Sequence, residues 1–262
     1  HEERNRLANF AHKCLGTDEA DASFLIPKGE LLLKFNQFCS RVWSKFLSVQ
    51  TPEEIAGDPT VSAVDYALKP HVLTGGGTIM YGKPGKGKSF TGMMMALAVN
   101  YGTNHFWETE QGKAVFINLE RPKRTMSPRI AAVSAALGLD PISNLSVMNN
   151  RGQGLVDIHD ALEDYIQKKD IKFVVLDSIS RAGAGDMKED RVATRTIDMM
   201  NNLGVSWLAI AHTPKYDDSV YYGSGQYEAG ADVMLRHSSA IIDDKGSIAV
   251  LLDVVKHTQQ HS

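Results

Sequence analysis

The sequence is poor in the features that mark membrane, disulfide-stapled or nucleic-acid-coating proteins. Among its 262 residues there are two cysteines, Cys14 and Cys39, without metal-ligand spacing. We therefore expect reduced, packed thiols and a cytoplasmic protein. No apolar run approaches the roughly 20 residues that span a bilayer, and no signal-peptide pattern is present, so we expect no membrane association. The net charge of −3 argues against a broadly basic surface that coats nucleic acid, although it is compatible with a narrow basic channel made by a few loops.

The chain divides by pattern into a helical N-terminal extension or linker, residues 1–60, and a larger domain, residues 61–262. Apolar residues between Leu31 and Leu47 recur at helical spacing, which predicts a helix packed on a neighbour. Pro52, Gly57 and Pro59 indicate a linker after it. Because the sequence begins with His1 rather than Met, we expect it to be part of a longer chain.

From about residue 64 onward, short apolar strands alternate with helices. Apolar runs of this kind, buried on both faces, predict an α/β fold with a parallel sheet flanked by helices. A hairpin is predicted around Asp244-Lys245-Gly246 near the C-terminal end. The predicted strands are Thr78–Tyr81, Ala114–Leu119, Phe173–Leu176 and Val205–Ala211.

One segment fits the phosphate-binding pattern G-x-x-x-x-G-K-[ST] in full, between a predicted strand and a predicted helix. In such loops glycine amides approach phosphate oxygens, and the following helix directs its positive end at the same anion. We expect Lys88 to neutralise the β- and γ-phosphates of ATP and Ser89 to hold Mg²⁺. The alternative is a glycine turn without a ligand. The residues predicted to bind the nucleotide are Gly82, Lys83, Pro84, Gly85, Lys86, Gly87, Lys88, Ser89 and Phe90.

Two acids follow buried strands in the order that a phosphate-loop ATPase requires. Asp177 ends the strand at Phe173–Leu176, where we expect an acid that orients Mg²⁺; the alternative is a helix cap. Glu120 follows Ala114–Leu119 and is a candidate base for the attacking water. The alternative for Glu120 is a surface pairing with a neighbouring cation.

Taken together, these motifs resemble the RecA-like ATPase core of hexameric replicative helicases of the RepA and DnaB type, over about residues 64–258. Further segments contribute to the resemblance. They are Phe116-Ile117-Asn118-Leu119-Glu120 followed by Arg129, Val174-Val175-Leu176-Asp177-Ser178, Leu208-Ala209-Ile210-Ala211-His212-Thr213-Pro214-Lys215, Gly223-Ser224, Ala229-Gly230-Ala231-Asp232 and Val254-Val255-Lys256.

The resemblance implies further roles for single residues. His212 would sense the γ-phosphate, the alternative being an ordinary buried or capping histidine. Segments 183–191 and 214–228 would face DNA, with Lys188 and Lys215 as contacts. The family's usual Lys-x-Arg is here Lys256-His257-Thr258, so Lys256 or Arg236 would have to reach a neighbouring subunit's γ-phosphate.

The function that the resemblance implies is a ring-forming DNA helicase or translocase in DNA replication. ATP and Mg²⁺ would lie at the interfaces of a homo-oligomer, expected to be a hexamer, with single-stranded DNA in its channel. A primase module on the same or another chain is a further expected partner. Two alternatives remain open: a filament-forming recombination or strand-annealing ATPase, and a nucleotide-switched regulatory ATPase that is not a motor.

Overall fold

The structure is a computed structural model that describes residues 28–48, 52, 54–57, 65–183, 185–214, 217, 221–243 and 247–258. The chain forms two compact units, residues 1–62 and 63–262. Within the described residues, no helix is both long enough and apolar enough to cross a bilayer.

In the first unit, the helix that the apolar periodicity predicts is α1 (Lys28–Ser48). Several of its apolar side chains are exposed, with Phe38 at 63% and Trp43 at 60%, whereas Leu31, Leu32 and Phe35 are half-buried. Trp43 stacks on Phe46 with 5.3 Å between ring centroids. An ion pair of 2.9 Å between Lys34 and Glu30 spans one turn.

The second unit is an α/β domain, as predicted, and its elements alternate along the chain. The strands are β1 (Tyr66–Lys69), β2 (Val72–Leu73), β3 (Gly77–Gly82), β4 (Glu108–Thr109), β5 (Lys113–Asn118), β6 (Ser146–Asn149), β7 (Ile171–Asp177), β8 (Ser206–His212), β9 (Val233–Ile241) and β10 (Ile248–His257). The helices are α2 (Lys88–Tyr101), α3 (Met126–Ala136), α4 (Leu155–Lys169), α5 (Ile179–Ala182), α6 (Asp190–Asn201) and α7 (Gln226–Gly230), and a 3₁₀ turn (Lys123–Thr125) precedes α3.

Seven strands form the main sheet in the order β10-β9-β3-β8-β7-β5-β6. All neighbours are parallel except β9 and β10, which form the predicted C-terminal hairpin. A separate antiparallel sheet has the order β2-β1-β4. The sequence patterns did not predict this small sheet or β6. The strands of the small sheet, with two to four residues each, are too short to show a periodicity. All four residues of β6 are only half-buried.

Both faces of the main sheet are covered, which explains why its strands are apolar at consecutive positions. In β5, Val115 and Ile117 join the core on one face, together with α4 and α6. Ala114 and Phe116 join the core on the other face, against α2 and α3. Because successive side chains point to opposite faces, a strand buried on both needs apolar residues throughout.

The carboxyl ends of four central strands meet at one edge of the sheet. Gly82 at the end of β3 lies beside His212 at the end of β8. Asp177 at the end of β7 lies beside Asn118 at the end of β5 and beside Ile210 of β8. Parallel pairing therefore brings together residues that are far apart in sequence, at the edge where open α/β sheets bind their ligands.

Candidate active site

The predicted phosphate loop connects β3 to α2. Gly87 has φ of +90° at the residue before the helix, a conformation that favours glycine. The side chain of Lys88, 4% exposed, folds back over the loop. Its Nζ donates to the carbonyl oxygens of Gly82 at 2.5 Å and Lys83 at 2.7 Å. Burial lowers the pKa of Lys88 to about 8, while the charges of Asp177 and Glu120 act in the opposite direction.

A cleft of about 380 Å³ opens beside this loop, and the four residues predicted to act in catalysis all line it: Lys88, Glu120, Asp177 and His212. The rest of its wall comes from the loop, from Arg121 and Arg129, from Ile210 of β8, and from the β9–β10 hairpin. Of the nine residues predicted to bind the nucleotide, six line the cleft: Gly85, Lys86, Gly87, Lys88, Ser89 and Phe90. Gly82, Lys83 and Pro84 lie outside its lining, because they form the end of β3 and the start of the turn.

Asp177 is buried at the foot of this cleft, with 2% of its surface exposed. Burial raises its pKa, and a hydrogen bond with Ser89 opposes that effect. A carboxylate and a hydroxyl in contact are the hard oxygen ligands that Mg²⁺ prefers, so this donor pair fits the ion. The alternative of a helix cap does not apply directly, because the residue at the N-cap position of α5 is Ser178.

A buried asparagine fixes the turn that carries Glu120. Asn118 accepts a hydrogen bond from the backbone N–H of Arg121 at 2.8 Å and donates to the carbonyl of the same residue at 2.8 Å. It also donates to Asn149 of β6 at 3.0 Å. A fully buried amide with these partners is costly to disturb, so the position of Glu120 is set by the end of β5.

The carboxylate of Glu120 is held through one of its two oxygens. Ser178 donates to Oε1, and His212 Nε2 lies 3.5 Å from the same atom. These contacts, with the His212 hydrogen bond the larger, lower the pKa of Glu120 to about 2 despite its burial; Arg121 contributes less. Among the described residues both contacts fall on Oε1, which leaves Oε2 to accept a proton from water.

His212 connects the cleft to the segment that follows β8. Its Nε2 faces Glu120, while its buried Nδ1 has no hydrogen-bond partner among the described residues. The predicted DNA contact Lys215 lies outside the described residues. Lys188, the other predicted contact, places its Nζ 5.2 Å from the centre of the Tyr222 ring, outside the nucleotide cleft.

Both candidates for contact with a neighbouring subunit are bonded within the chain. Arg236 donates to Asp253 from Nη2 at 2.8 Å and from Nε at 3.1 Å. Lys256 Nζ donates to the carbonyl oxygens of Glu228 at 2.5 Å and Ala231 at 2.7 Å. Either side chain would have to exchange these bonds for a contact with a neighbouring nucleotide.

The sequence patterns did not reveal a buried histidine behind the phosphate loop. His237 of β9 is 3% exposed, and its Nε2 lies 2.9 Å from Oγ1 of Thr91 in α2. Burial, together with the charge of Lys88, lowers its pKa to about 4. Its backbone lies so close to Gly82 that a Cβ there would be 2.3 Å from the His237 carbonyl oxygen. No local signal could identify this contact, because it depends on β9 pairing with β3.

Comparison with known proteins identifies a family that the chain matches. A family model described as an AAA domain matches residues 44–218, about two thirds of the chain. The match includes the phosphate loop, Glu120, Asp177 and His212. Among curated proteins, none matches the chain.

Proposed function

The chain belongs to the AAA domain family of P-loop ATPases, and because the order of its motifs resembles that of RepA- and DnaB-type proteins we propose that it is an ATP-driven motor of the ring-forming DNA helicase or translocase type. The observation that carries the proposal is the convergence of Lys88, Glu120, Asp177 and His212 on one cleft from the ends of neighbouring strands. A phosphate loop with its acid and a charged candidate base is the minimum set for ATP hydrolysis.

We assign the chemical step to the residues that face the cleft. The loop amides and the ammonium of Lys88 hold the β- and γ-phosphates. Oε2 of Glu120 accepts a proton as the water oxygen bonds to the γ-phosphorus and the bond to the bridging oxygen breaks, giving ADP and phosphate. Ser89 and Asp177 would hold Mg²⁺, which neutralises charge on the phosphate oxygens.

The coupling of hydrolysis to movement would begin at His212. Because His212 contacts Glu120 and ends β8, loss of the γ-phosphate would change the position of the segment that follows β8. That segment (214–228) and segment 183–191 are the proposed DNA-facing loops, with Lys188 and Lys215 as contacts. The same proposal includes a hexamer with ATP at its interfaces, in which Lys256 or Arg236 of a neighbouring subunit would reach the γ-phosphate. It also includes a primase module on the same or another chain.

A nucleotide-switched regulatory ATPase is the second candidate, and the composition of segment 183–191 favours it. Asp186, Glu189 and Asp190 would repel a phosphate backbone. Two of these acids have structural partners: Asp186 accepts from the Lys188 amide at 3.0 Å, and Asp190 accepts from Ser224 at 2.5 Å. These bonds hold the two carboxylates in place but leave their negative charges, so the composition of the segment continues to favour the regulatory ATPase.

ATP hydrolysis measured with and without single-stranded DNA tests the proposal. A motor is expected to hydrolyse ATP faster when DNA is present, and the Lys88→Ala variant should be inactive in both conditions. Hydrolysis that single-stranded DNA leaves unchanged would favour the regulatory ATPase. Electron microscopy of the nucleotide-bound protein distinguishes closed rings from the filaments of a recombination ATPase.

A further inference from the structure

A second cleft, of about 960 Å³, lies next to the nucleotide cleft and carries three arginines: Arg121, Arg151 and Arg181. We refer to it as the arginine cleft. Glu120, Arg121 and His212 line both clefts. Glu120 and His212, which contact each other, therefore form part of the wall between the nucleotide cleft and the arginine cleft.

The fold brings the three arginines together from three separate segments. Arg121 follows β5, Arg151 follows β6, and Arg181 lies in α5, directly after β7. These strands are neighbours in the order β7-β5-β6 and run parallel, so their carboxyl ends share one edge. The turn at Arg151 is closed by a hydrogen bond of 3.1 Å from the Gln153 amide to the Asn150 carbonyl.

Three arginines face two acids, Glu120 and Asp157, in the lining of the arginine cleft, which leaves an excess of one positive charge. Glu120 is engaged by Ser178 and His212. Asp157 is engaged in the cap of α4, where it accepts from the Gly154 amide at 2.8 Å. The three arginines are exposed and form no ion pair with any described residue. Guanidinium groups of this kind bind phosphate oxygens through paired hydrogen bonds.

We propose that the arginine cleft binds the phosphodiester backbone of single-stranded DNA. The proposal rests on the proposed function as a DNA motor and assigns it a binding site that includes Gly183 and Gly185 of segment 183–191 but not the predicted contact Lys188. The cleft is larger than the nucleotide cleft, and its cations come from three segments. Both features suit a polymer with a regularly repeated charge better than one compact anion.

DNA in the arginine cleft would act on hydrolysis through residues that adjoin Glu120. Arg121 is its chain neighbour, and the backbone of Arg121 is fixed by Asn118. Arg181 follows Ser180, whose hydroxyl lies 2.6 Å from that of Ser178, the donor to Glu120. A phosphate bound to Arg121 or Arg181 would therefore be linked to Glu120 through one or two intervening contacts.

The test is a double variant, Arg151→Ala with Arg181→Ala, which leaves Arg121 of the nucleotide cleft intact. Its matched control is Arg124→Ala, which removes an exposed arginine of the 3₁₀ turn outside the lining of both clefts. Binding of oligo(dT) and oligo(rU) is measured across a range of salt concentrations. ATP hydrolysis is measured with and without oligo(dT). The melting temperature and ATP binding of each variant report whether it is folded.

Each phosphate contact contributes about 0.7 to the log–log salt dependence of single-strand binding, so loss of two should lower the slope by about 1.4. Affinity for oligo(dT) should fall by about tenfold or more. Stimulation of ATP hydrolysis by oligo(dT) should fall with it. The control should keep the wild-type slope, and Arg151→Lys with Arg181→Lys should recover most of it, because lysine retains the charge.

Three outcomes contradict the proposal in different ways. If oligo(dT) binds and stimulates the wild type and the folded double variant equally, the arginine cleft is not the site, while the motor function stands. If the wild type hydrolyses ATP but binds no oligo(dT), the proposed DNA motor itself fails. If oligo(rU) binds more tightly than oligo(dT) through the same arginines, the assignment to DNA is wrong.

Discussion

Replacement of Glu120 by glutamine isolates the proton transfer from the rest of the site. The side chain keeps its length, and an amide oxygen at the Oε1 position can still accept the hydrogen bond from Ser178. The amide nitrogen then occupies the Oε2 position, where it cannot accept a proton. We therefore expect Glu120→Gln to fold normally and to lose hydrolysis.

The size of the loss follows from the role of the group. Removal of a general base slows a reaction by about 10²–10⁴-fold, or about 3–5.5 kcal/mol in the activation free energy. ATP affinity should be equal or higher, because the loop and Lys88 are untouched and one negative charge leaves a cleft that receives an anion.

Phosphate release and equilibrium binding of ATP, measured on the same preparation, separate the two effects. Glu110→Gln is the matched control, since its carboxylate is exposed and contacts Thr74 outside the cleft. If Glu120→Gln releases phosphate at nearly the wild-type rate while another acid-to-amide variant of the cleft is inactive, Glu120 is not the base.

Three further predictions concern charges around the loop. ATP affinity should fall as pH rises above about 8, because Lys88 loses its charge there; in Lys88→Met the titration of affinity should be flat. Asp177→Asn should weaken ATP binding more with Mg²⁺ than with chelator, and equal effects would contradict a metal ligand. The pKa of His237 is about 4 in the folded protein and near 6.5 in the unfolded chain, so only the unfolded chain takes up a proton between pH 7 and 5. The free energy of unfolding should therefore fall by about 2 kcal/mol over that range. Denaturant unfolding of His237→Gln at both values should show a correspondingly smaller loss.

The fold could be predicted because the sheet is buried on both faces. Strands such as Phe173–Leu176 are then apolar at every position, and this pattern is visible in the sequence. The hairpin around residues 244–246 was predicted from its turn residues, and both flanking strands, β9 and β10, are present. The exposed or half-buried strands lack this pattern, which is why β6 was missed.

Convergence at the site could be expected from the order of the motifs, whereas its contacts could not. Parallel strands place Gly82, Asp177 and Glu120 at one edge whatever their order in the sheet. The contact of Ser178 with Glu120 requires β7 to lie beside β5, and the contact of His237 with Thr91 requires β9 to lie beside β3. Strand order comes from packing over long sequence separations, which no local pattern encodes.

The shared wall between the two clefts predicts how DNA would change the base. The pKa of Glu120 is held low by His212 and Ser178 and, more weakly, by the charge of Arg121. A phosphate bound to Arg121 would offset that charge, so the pKa of Glu120 would rise and the carboxylate would accept a proton more readily. At pH 7 the carboxylate is ionised with and without DNA, because its pKa lies far below that value, so the more basic carboxylate should speed ATP hydrolysis. Arg121→Gln should therefore hydrolyse saturating ATP faster than the wild type without DNA and should be stimulated less by oligo(dT). A rate for folded Arg121→Gln no higher than that of the wild type without DNA, with full stimulation by oligo(dT), would contradict this coupling.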